Sequence, residues 1–424
     1  MKKSPVTRKK FTGNTLVIAN QSVNHESIMR TTKEASLKLA RSSDYNDKNE
    51  MVKRALIEAD GLYFDRFKVL LLKEGFENEF LLRTKKTEES IFAYSERERF
   101  LYATDLKREY LRGYKNGVNR FFEEFDNDGD SINIAQTESY VDSKKVTWGL
   151  KCTNVNNVPY TGKGVKVAIL DTGFSVNHPD FVGRDVNIKS FQQGLEGKDV
   201  DGHGTHCIGI ACGGKNKENL RYGIAYESEI HSAKVLNDHG EGSDSTVIAG
   251  IEWAISKGCR IISMSLGAKV QNNKAYSRLF EEIANEALKN NCLILAAAGN
   301  DSNRPNNVKN INHPANCPSI LSVGAVGQNL EVADFSNGVS GRWESEVDVC
   351  APGKNIYSSF IAPKNHEKMS GTSMATPFVA GIAALFLEKY PNLSADQLWR
   401  LIIKQSKKIN GDLYAIGSGL VYIN

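Results

Sequence analysis

From Gly162 onward, short and nearly continuous apolar runs alternate with longer stretches of helical periodicity, and no other feature of the chain narrows the fold as far. The apolar runs at residues 165–170, 230–236, 260–264, 292–297, 320–323 and 347–349 read as strands buried on both faces. Helices are expected between them at 203–211, 243–256 and 276–290. The second of these has Ser243 as a cap, an apolar face of Val247, Ile248, Ile251 and Ile255, and a stop at Gly258. The third sets Leu279, Ile283, Ala287 and Leu288 on one side. Such alternation predicts an α/β fold, a mostly parallel, doubly wound sheet with helices on both faces. In these sheets, sites form beyond the carboxyl ends of the strands.

A length of 424 residues suits two domains rather than one. Upstream, strands are expected at 15–19, 67–72, 79–83 and 90–94, with helices at 31–41 and 52–59, which makes residues 1–104 a small α+β unit. Residues 105–147 read as a linker. Within it, 105–125 has helical spacing, and Asp126-Asn-Asp-Gly-Asp carries acidic residues around a glycine. That glycine is misplaced for an EF-hand and no glutamate closes the loop, so an exposed acidic stretch is expected. Residues 148–424 form the larger unit.

A net charge of +4 gives no argument for nucleic acid, and the basic start (Lys2, Lys3, Arg8, Lys9, Lys10) reads as a solvated tail. No apolar run is long enough to span a bilayer, and the run after the basic start, interrupted by Gly13 and Asn14, reads as a strand rather than a signal peptide. The seven cysteines are scattered and sit mostly in apolar segments (Cys207, Cys259, Cys292, Cys350). Reduced thiols and a cytoplasmic location are the expectation.

Four glycine-rich motifs lie at strand ends or helix starts. Asp171 directly follows the run 165–170, where a carboxylate can orient an imidazole. His203 stands in Asp201-Gly-His-Gly-Thr-His-Cys207, and a near-neutral imidazole suits a general base. His203, His206 and Cys207 lack the spacing and glutamate of a metalloprotease helix, and His206 is expected to be buried against backbone. Asn300 closes Leu295-Ala-Ala-Ala-Gly-Asn300 and offers an amide N–H to a developing oxyanion. Ser373, in Gly371-Thr-Ser-Met-Ala-Thr-Pro377, opens a long apolar helix among free backbone N–H groups, with Pro377 expected in the first turn.

Asp, His and Ser follow one another in the order found in subtilisin-type proteases. Asp171-Thr-Gly, Gly202-His-Gly-Thr-His, Ala297-Ala-Gly-Asn and Gly371-Thr-Ser-Met-Ala-Thr-Pro resemble the four signatures of the subtilisin-like serine proteases, over about residues 148–387. The resemblance implies Ser373 as nucleophile, His203 as base and then acid, Asp171 as its orienter, and Asn300 with the Ser373 N–H as the oxyanion hole. It implies that Ser265-Leu266-Gly267 pairs with the substrate backbone. Together with Ala297-Ala298-Gly299 this segment would wall the first specificity pocket, whose uncharged walls favour an apolar or uncharged residue. Cys207 matches the placement in proteinase K-like members. Ala59-Asp-Gly-Leu-Tyr-Phe64, the strand 69–72 and Glu96-Arg-Glu-Arg-Phe-Leu-Tyr-Ala103 resemble the family's inhibitory propeptide. That likeness implies an autoinhibited zymogen, with residues 105–145 holding the processing site. No cofactor is implied for the chemistry. A structural calcium is implied, with Asp180 as a candidate ligand, although the loop 213–220 carries lysines and lacks the family's aspartates. A protease dedicated to maturing one peptide shares the same residues, and a silent binding module is the third reading.

Overall fold

The computed structural model describes residues 10–45, 51–76, 80, 91–104, 140–192, 196–270, 276–338 and 346–424. In chain order the first elements are β1 (Phe11–Ala19), α1 (His25–Glu34), β2 (Leu39–Arg41), α2 (Met51–Glu58), β3 (Gly61–Phe64), β4 (Val69–Leu72) and β5 (Phe92–Ala103). There follow α3 (Trp148–Cys152), β6 (Lys166–Asp171), β7 (Val186–Ser190), α4 (His203–Cys212), β8 (Glu229–Lys234), β9 (Glu241–Ser243) and α5 (Asp244–Ser256). Next come β10 (Ile261–Met264), β11 (Leu266–Gly267), α6 (Arg278–Lys289), β12 (Leu293–Ala297), β13 (Leu321–Val326), β14 (Val349–Pro352), β15 (Ile356–Ser359) and β16 (His366–Met369). The chain ends with α7 (Thr372–Lys389), α8 (Ala395–Gln405) and α9 (Leu413–Ile416).

The parallel sheet has the order β14-β13-β12-β10-β6-β8-β7, with every pair parallel. Alternate residues of its strands enter different cores. Val167, Ile169, Ile261, Leu293 and Leu295 pack with α4 and α7, whereas Ala168, Leu170, Ile262, Ile294 and Ala296 pack with α5 and α6. Burial on both faces is why these strands are apolar throughout. Helix α7 is buried from Thr372 to Leu387, which explains its lack of a polar face.

The amino-terminal strands form a second sheet, in which β5, β1, β4 and β3 are antiparallel neighbours and β2 joins β3 in parallel. One face (Leu16, Ile18, Leu62, Phe64, Val69, Leu71) shares a core with α2, α5 and α6. The other (Val17, Tyr63, Leu70, Leu72) packs with Ile28 of α1 and with Phe80. The helix expected at 31–41 is instead α1 followed by β2. Asn24 caps α1 by accepting the Ser27 N–H at 2.8 Å, and the chain leaves it through Ser36 at φ +61°. Of the strand expected at 79–83 only Phe80 is described, and it is helical. The helical spacing at 105–125 and the acidic stretch lie outside the described residues.

Strand β5 extends the amino-terminal sheet onto the larger body. Its end runs antiparallel to β11 (Leu266 opposite Ala103, Gly267 opposite Tyr102) and to β9 (Phe100 opposite Ser243, Leu101 opposite Gly242, Tyr102 opposite Glu241). A strand donated by the amino-terminal sheet thus fills a slot between two edges of the larger body. Among the described residues, no helix is long and apolar enough to cross a membrane.

Candidate active site

Asp171 ends β6, and its Oδ1 accepts from the Nδ1–H of His203 at 2.7 Å. His203 is the first residue of α4. The chain enters that helix through Gly202 at φ +100°, a left-handed conformation that glycine adopts without strain. Thr172 and Asp199 brace the turn. The Thr172 hydroxyl donates to Asp199 at 2.9 Å and accepts the Gly204 N–H at 2.8 Å, and Asp199 also accepts from the Gly202 and Thr205 N–H groups. Burial works against the charged imidazole, but the Asp171 carboxylate prevails and raises the His203 pKa well above the ordinary value. The other ring nitrogen, Nε2, is buried and makes no hydrogen bond to any described residue.

Ser373 is the second residue of α7, where a backbone N–H has no acceptor within the helix. Its Oγ contacts the carbonyl oxygen of Thr104, the residue that follows β5, and lies 2.6 Å from the Thr104 hydroxyl. The same Thr104 carbonyl accepts from Asn300 Nδ2. The Asn300 amide is oriented by Thr372, whose N–H and hydroxyl both donate to its Oδ1 at 2.9 Å. The backbone of the tail is held on both sides: the Thr104 N–H donates to the Ser265 carbonyl at 3.1 Å, and the Ala103 N–H to Gly240 at 2.9 Å. A hydroxyl and an amide donor therefore meet at one peptide carbonyl, in a site whose imidazole is held by a carboxylate. That is the equipment of acyl transfer.

Pro377 is the sixth residue of α7, not part of its first turn. It lacks the N–H that would bond the Ser373 carbonyl one turn back. That carbonyl instead accepts the Ser265 hydroxyl at 2.8 Å and lies 3.5 Å from Cys207 Sγ. Burial pushes the Cys207 thiol up to about 11, so it is a poor nucleophile here. His206 lies with Nε2 at 3.1 Å from the carbonyls of Ile356 and Glu367, and burial lowers its pKa to about 3.

Ser265, Leu266 and Gly267 stand on one side of the tail's end, and Ala297, Ala298 and Gly299 belong to the strand end that leads to Asn300. Sequence reasoning gave no role to Glu96, Glu98 or Arg99 of β5, yet all three bind the larger body. Glu98 accepts from the Ser245 N–H at 3.1 Å and from the Ser245 hydroxyl, at the start of α5. Glu96 accepts from the Leu279 N–H at 3.2 Å and from the Ser277 hydroxyl at 2.8 Å, at the start of α6. Both carboxylates thus sit at positive helix ends. Arg99 donates to the buried Asp244 at 3.0 Å, which His313 also approaches at 3.2 Å. Their segment carries the propeptide-like resemblance, but nothing in it beyond the alternation of charges before Phe100 pointed to these contacts.

Among the described residues, two groups of side chains bring metal-ligating atoms within 4.8 Å of one another: Asp171, His203 and Cys207, and His178, Asp180 and His366. In the second, Asp180 Oδ2 accepts from the Tyr222 hydroxyl and from His366 Nε2, both at 2.7 Å. His178 Nδ1 accepts the Asp180 N–H at 3.2 Å and its Nε2 lies 2.6 Å from the Asn365 carbonyl, so both ring nitrogens are engaged. In the adjoining loop, Asn216 Oδ1 is taken by the Glu218 and Leu220 N–H groups.

Comparison with known proteins agrees with this geometry. The family model described as "Subtilase family" matches residues 162–419, well over half of the chain. Subtilisin DY of Bacillus licheniformis is 36% identical over 276 residues, covering 65% of this chain and 94% of its own. Subtilisin Savinase of Lederbergia lenta is 35% identical over 286 residues (66% and 97%). The intracellular serine protease of Paenibacillus polymyxa is 35% identical over 273 residues (62% and 80%).

Proposed function

The chain belongs to the subtilase family of serine endopeptidases, and on that premise we propose that it is made as a zymogen which cuts its own Thr104–Asp105 bond. The observation that carries this reading is the Thr104 carbonyl, touched by Ser373 Oγ and by Asn300 Nδ2 at the end of a strand paired on both edges. Residues 1–104 would be the inhibitory unit and 148–424 the catalytic one. The cleavage point falls at the very start of the expected 105–145 segment.

In this mechanism His203 Nε2 takes the Ser373 proton as Oγ attacks the Thr104 carbonyl carbon. Asp171 holds the Nδ1–H and stabilises the imidazolium that forms. Asn300 Nδ2 and the Ser373 N–H receive the oxyanion. His203 then returns the proton to the Asp105 nitrogen, the peptide C–N bond breaks, and water releases the acyl group from Ser373 by the same steps. Protein and peptide substrates would pair with Ser265, Leu266 and Gly267 where the tail now lies. After the cut, the carboxylates of Glu96 and Glu98 would keep the amino-terminal sheet bound as an intramolecular inhibitor.

Subtilases need no cofactor for this chemistry. A structural calcium, common in the family, does not fit the residues present around Asp180. Its carboxylate already takes two protein donors, and the adjoining loop offers Lys215 and Lys217 rather than aspartates. Burial opposes its charge, but the bonds from His366 and Tyr222 hold its pKa below the usual range. All seven cysteines are unpaired and buried, which supports a reducing, cytoplasmic location. Fractionation of cells followed by immunodetection tests that placement.

The test of the main reading sets the wild type beside Ser373→Ala. Intact mass and amino-terminal sequencing should find a new terminus at Asp105 in the wild type alone, and a fluorophosphonate should label Ser373. A wild type that stays intact and unlabelled overturns the reading.

A further inference from the structure

Glycine stands on both walls of the expected first specificity pocket, and the Asn312 side chain lies beside both, with Asn337 Nδ2 next to it at 2.4 Å from where a Cβ on Gly299 would stand. A Cβ on Gly299, which has φ +110°, would come within 2.5 Å of Asn312 Nδ2; one on Gly267, in the facing wall, would lie 3.4 Å from Asn312 Cβ and 2.7 Å from the His313 carbonyl oxygen. Asn312 is fastened between these walls by its backbone. Its N–H donates to the Ala298 carbonyl at 2.8 Å, and the next residue exchanges two hydrogen bonds with Ala268, at 2.8 and 3.0 Å. The side chain is fixed as well. Asn312 Nδ2 donates to Asp301 Oδ2 at 2.9 Å, and Asp301 is held by the Asn337 amide through its N–H and by Lys269 at 2.6 Å. Asn312 is 6% exposed and Asn337 fully buried.

We infer that Asn312 is a specificity-determining residue that closes the first pocket to all but small side chains. The residue before the scissile bond must be small, with threonine, serine, alanine and valine preferred over phenylalanine, leucine and lysine. This rests on the reading above, in which Thr104 occupies that position. Thr104 suits the slot: it is 9% exposed, and its hydroxyl points to Ser373 Oγ at 2.6 Å instead of reaching deeper. A polar, clamped carboxamide neither yields to a large ring nor offers it an apolar bed. Burying a phenyl group there would require Asn312 to give up its hydrogen bond to Asp301. An apolar pocket distinguishes side chains that differ by one methylene by about 10–200-fold, and a filled pocket excludes a ring at least as strongly.

The experiment uses the full-length protein after maturation, counted by fluorophosphonate labelling so that only active sites enter the rate. Quenched peptides Leu-Tyr-Ala-X-Asp vary X among Thr, Ala, Val, Leu, Phe and Lys. The wild type should give kcat/KM for Thr and Ala at least about tenfold above Phe. Asn312→Gly should raise the Phe value about tenfold and leave Thr within about threefold. Thr104→Phe in the intact chain should slow self-cleavage, and adding Asn312→Gly should restore it. A wild type that cuts after Phe as readily as after Thr overturns the inference even if Asn312→Gly does not fold. So does an Asn312→Gly enzyme whose Phe-to-Thr ratio is unchanged. Failure of the wild type to label at Ser373 sinks the catalytic reading instead, and the two failures are therefore distinguishable.

Discussion

Replacing Glu98 by glutamine should loosen the amino-terminal sheet from the larger body while leaving the active site untouched. Glu98 is buried and accepts four hydrogen bonds: from Thr12 at 2.6 Å and Asn14 at 2.8 Å within its own sheet, and from the Ser245 N–H and hydroxyl at the start of α5. A hydrogen bond to a charged group contributes about 1.5–3 kcal/mol against about 0.5–1.5 for a neutral one, so each bond across the boundary loses roughly 1–1.5 kcal/mol. The charge at the helix start adds about 0.3–1 kcal/mol. Glutamine also turns an NH2 toward one of the two donor pairs, where only an acceptor fits. The sum, about 2–4 kcal/mol, corresponds to roughly 30–1000-fold weaker retention of the inhibitor after cleavage. The assay dilutes matured protein and follows peptide hydrolysis, taking the enzyme concentration at which half of the titrated sites are active. That concentration should rise by the stated factor in Glu98→Gln. Glu34→Gln, the same charge change at an exposed position of α1, is the control. If Glu98→Gln and the wild type agree within about threefold, the capping contact does not hold the inhibitor and the arithmetic fails.

Three further outcomes are expected. Because Asp171 raises the His203 pKa, kcat/KM should rise with pH through a midpoint above about 6.5, as the imidazole loses its proton; a profile flat from about pH 5 to 9 contradicts His203 as base. Chelation should leave the melting temperature unchanged, since Tyr222 and His366 already satisfy Asp180; a calcium-dependent gain near the ~2.7 kcal/mol expected at a hundredfold excess over Kd would refute this. Asp348, raised by burial to about 7, keeps its proton in the folded state after the unfolded chain has lost it. Stability should therefore fall as pH rises from about 4 to 7, by at most about 4 kcal/mol, and Asp348→Asn should flatten that slope in denaturant titrations.

The parallel sheet was legible because burial on both faces makes its central strands apolar runs, and the four motifs because each stands where a strand or helix begins or ends. The misplaced helix has a different cause. In α1 only Ile28, Thr31 and Thr32 are buried, so it shows no apolar stripe, and the pattern drew the expected helix toward Ala35, Leu37 and Leu39, two of which flank or form β2. The strand Val186–Ser190 was missed because Asn187 and Lys189 interrupt it. Asn312 and Glu98 had no local signature at all. Their meaning depends on partners far along the chain, the two glycine walls in one case and the start of α5 in the other. Pro377 was noticed but put in the wrong turn, which hid what its missing N–H does for the Ser373 carbonyl.

Ser265 faces two ways. Its carbonyl takes the Thr104 N–H, and its hydroxyl holds the Ser373 carbonyl. A guest strand that slips by one residue offers that carbonyl a mismatched partner and tugs on the start of α7 through the same serine. Pairing of the guest strand and placement of the attacking group thus meet in one side chain. Pro377 brings no N–H to the Ser373 carbonyl, which leaves it open to this tether, and the recognising edge and the attacking group are joined through Ser265.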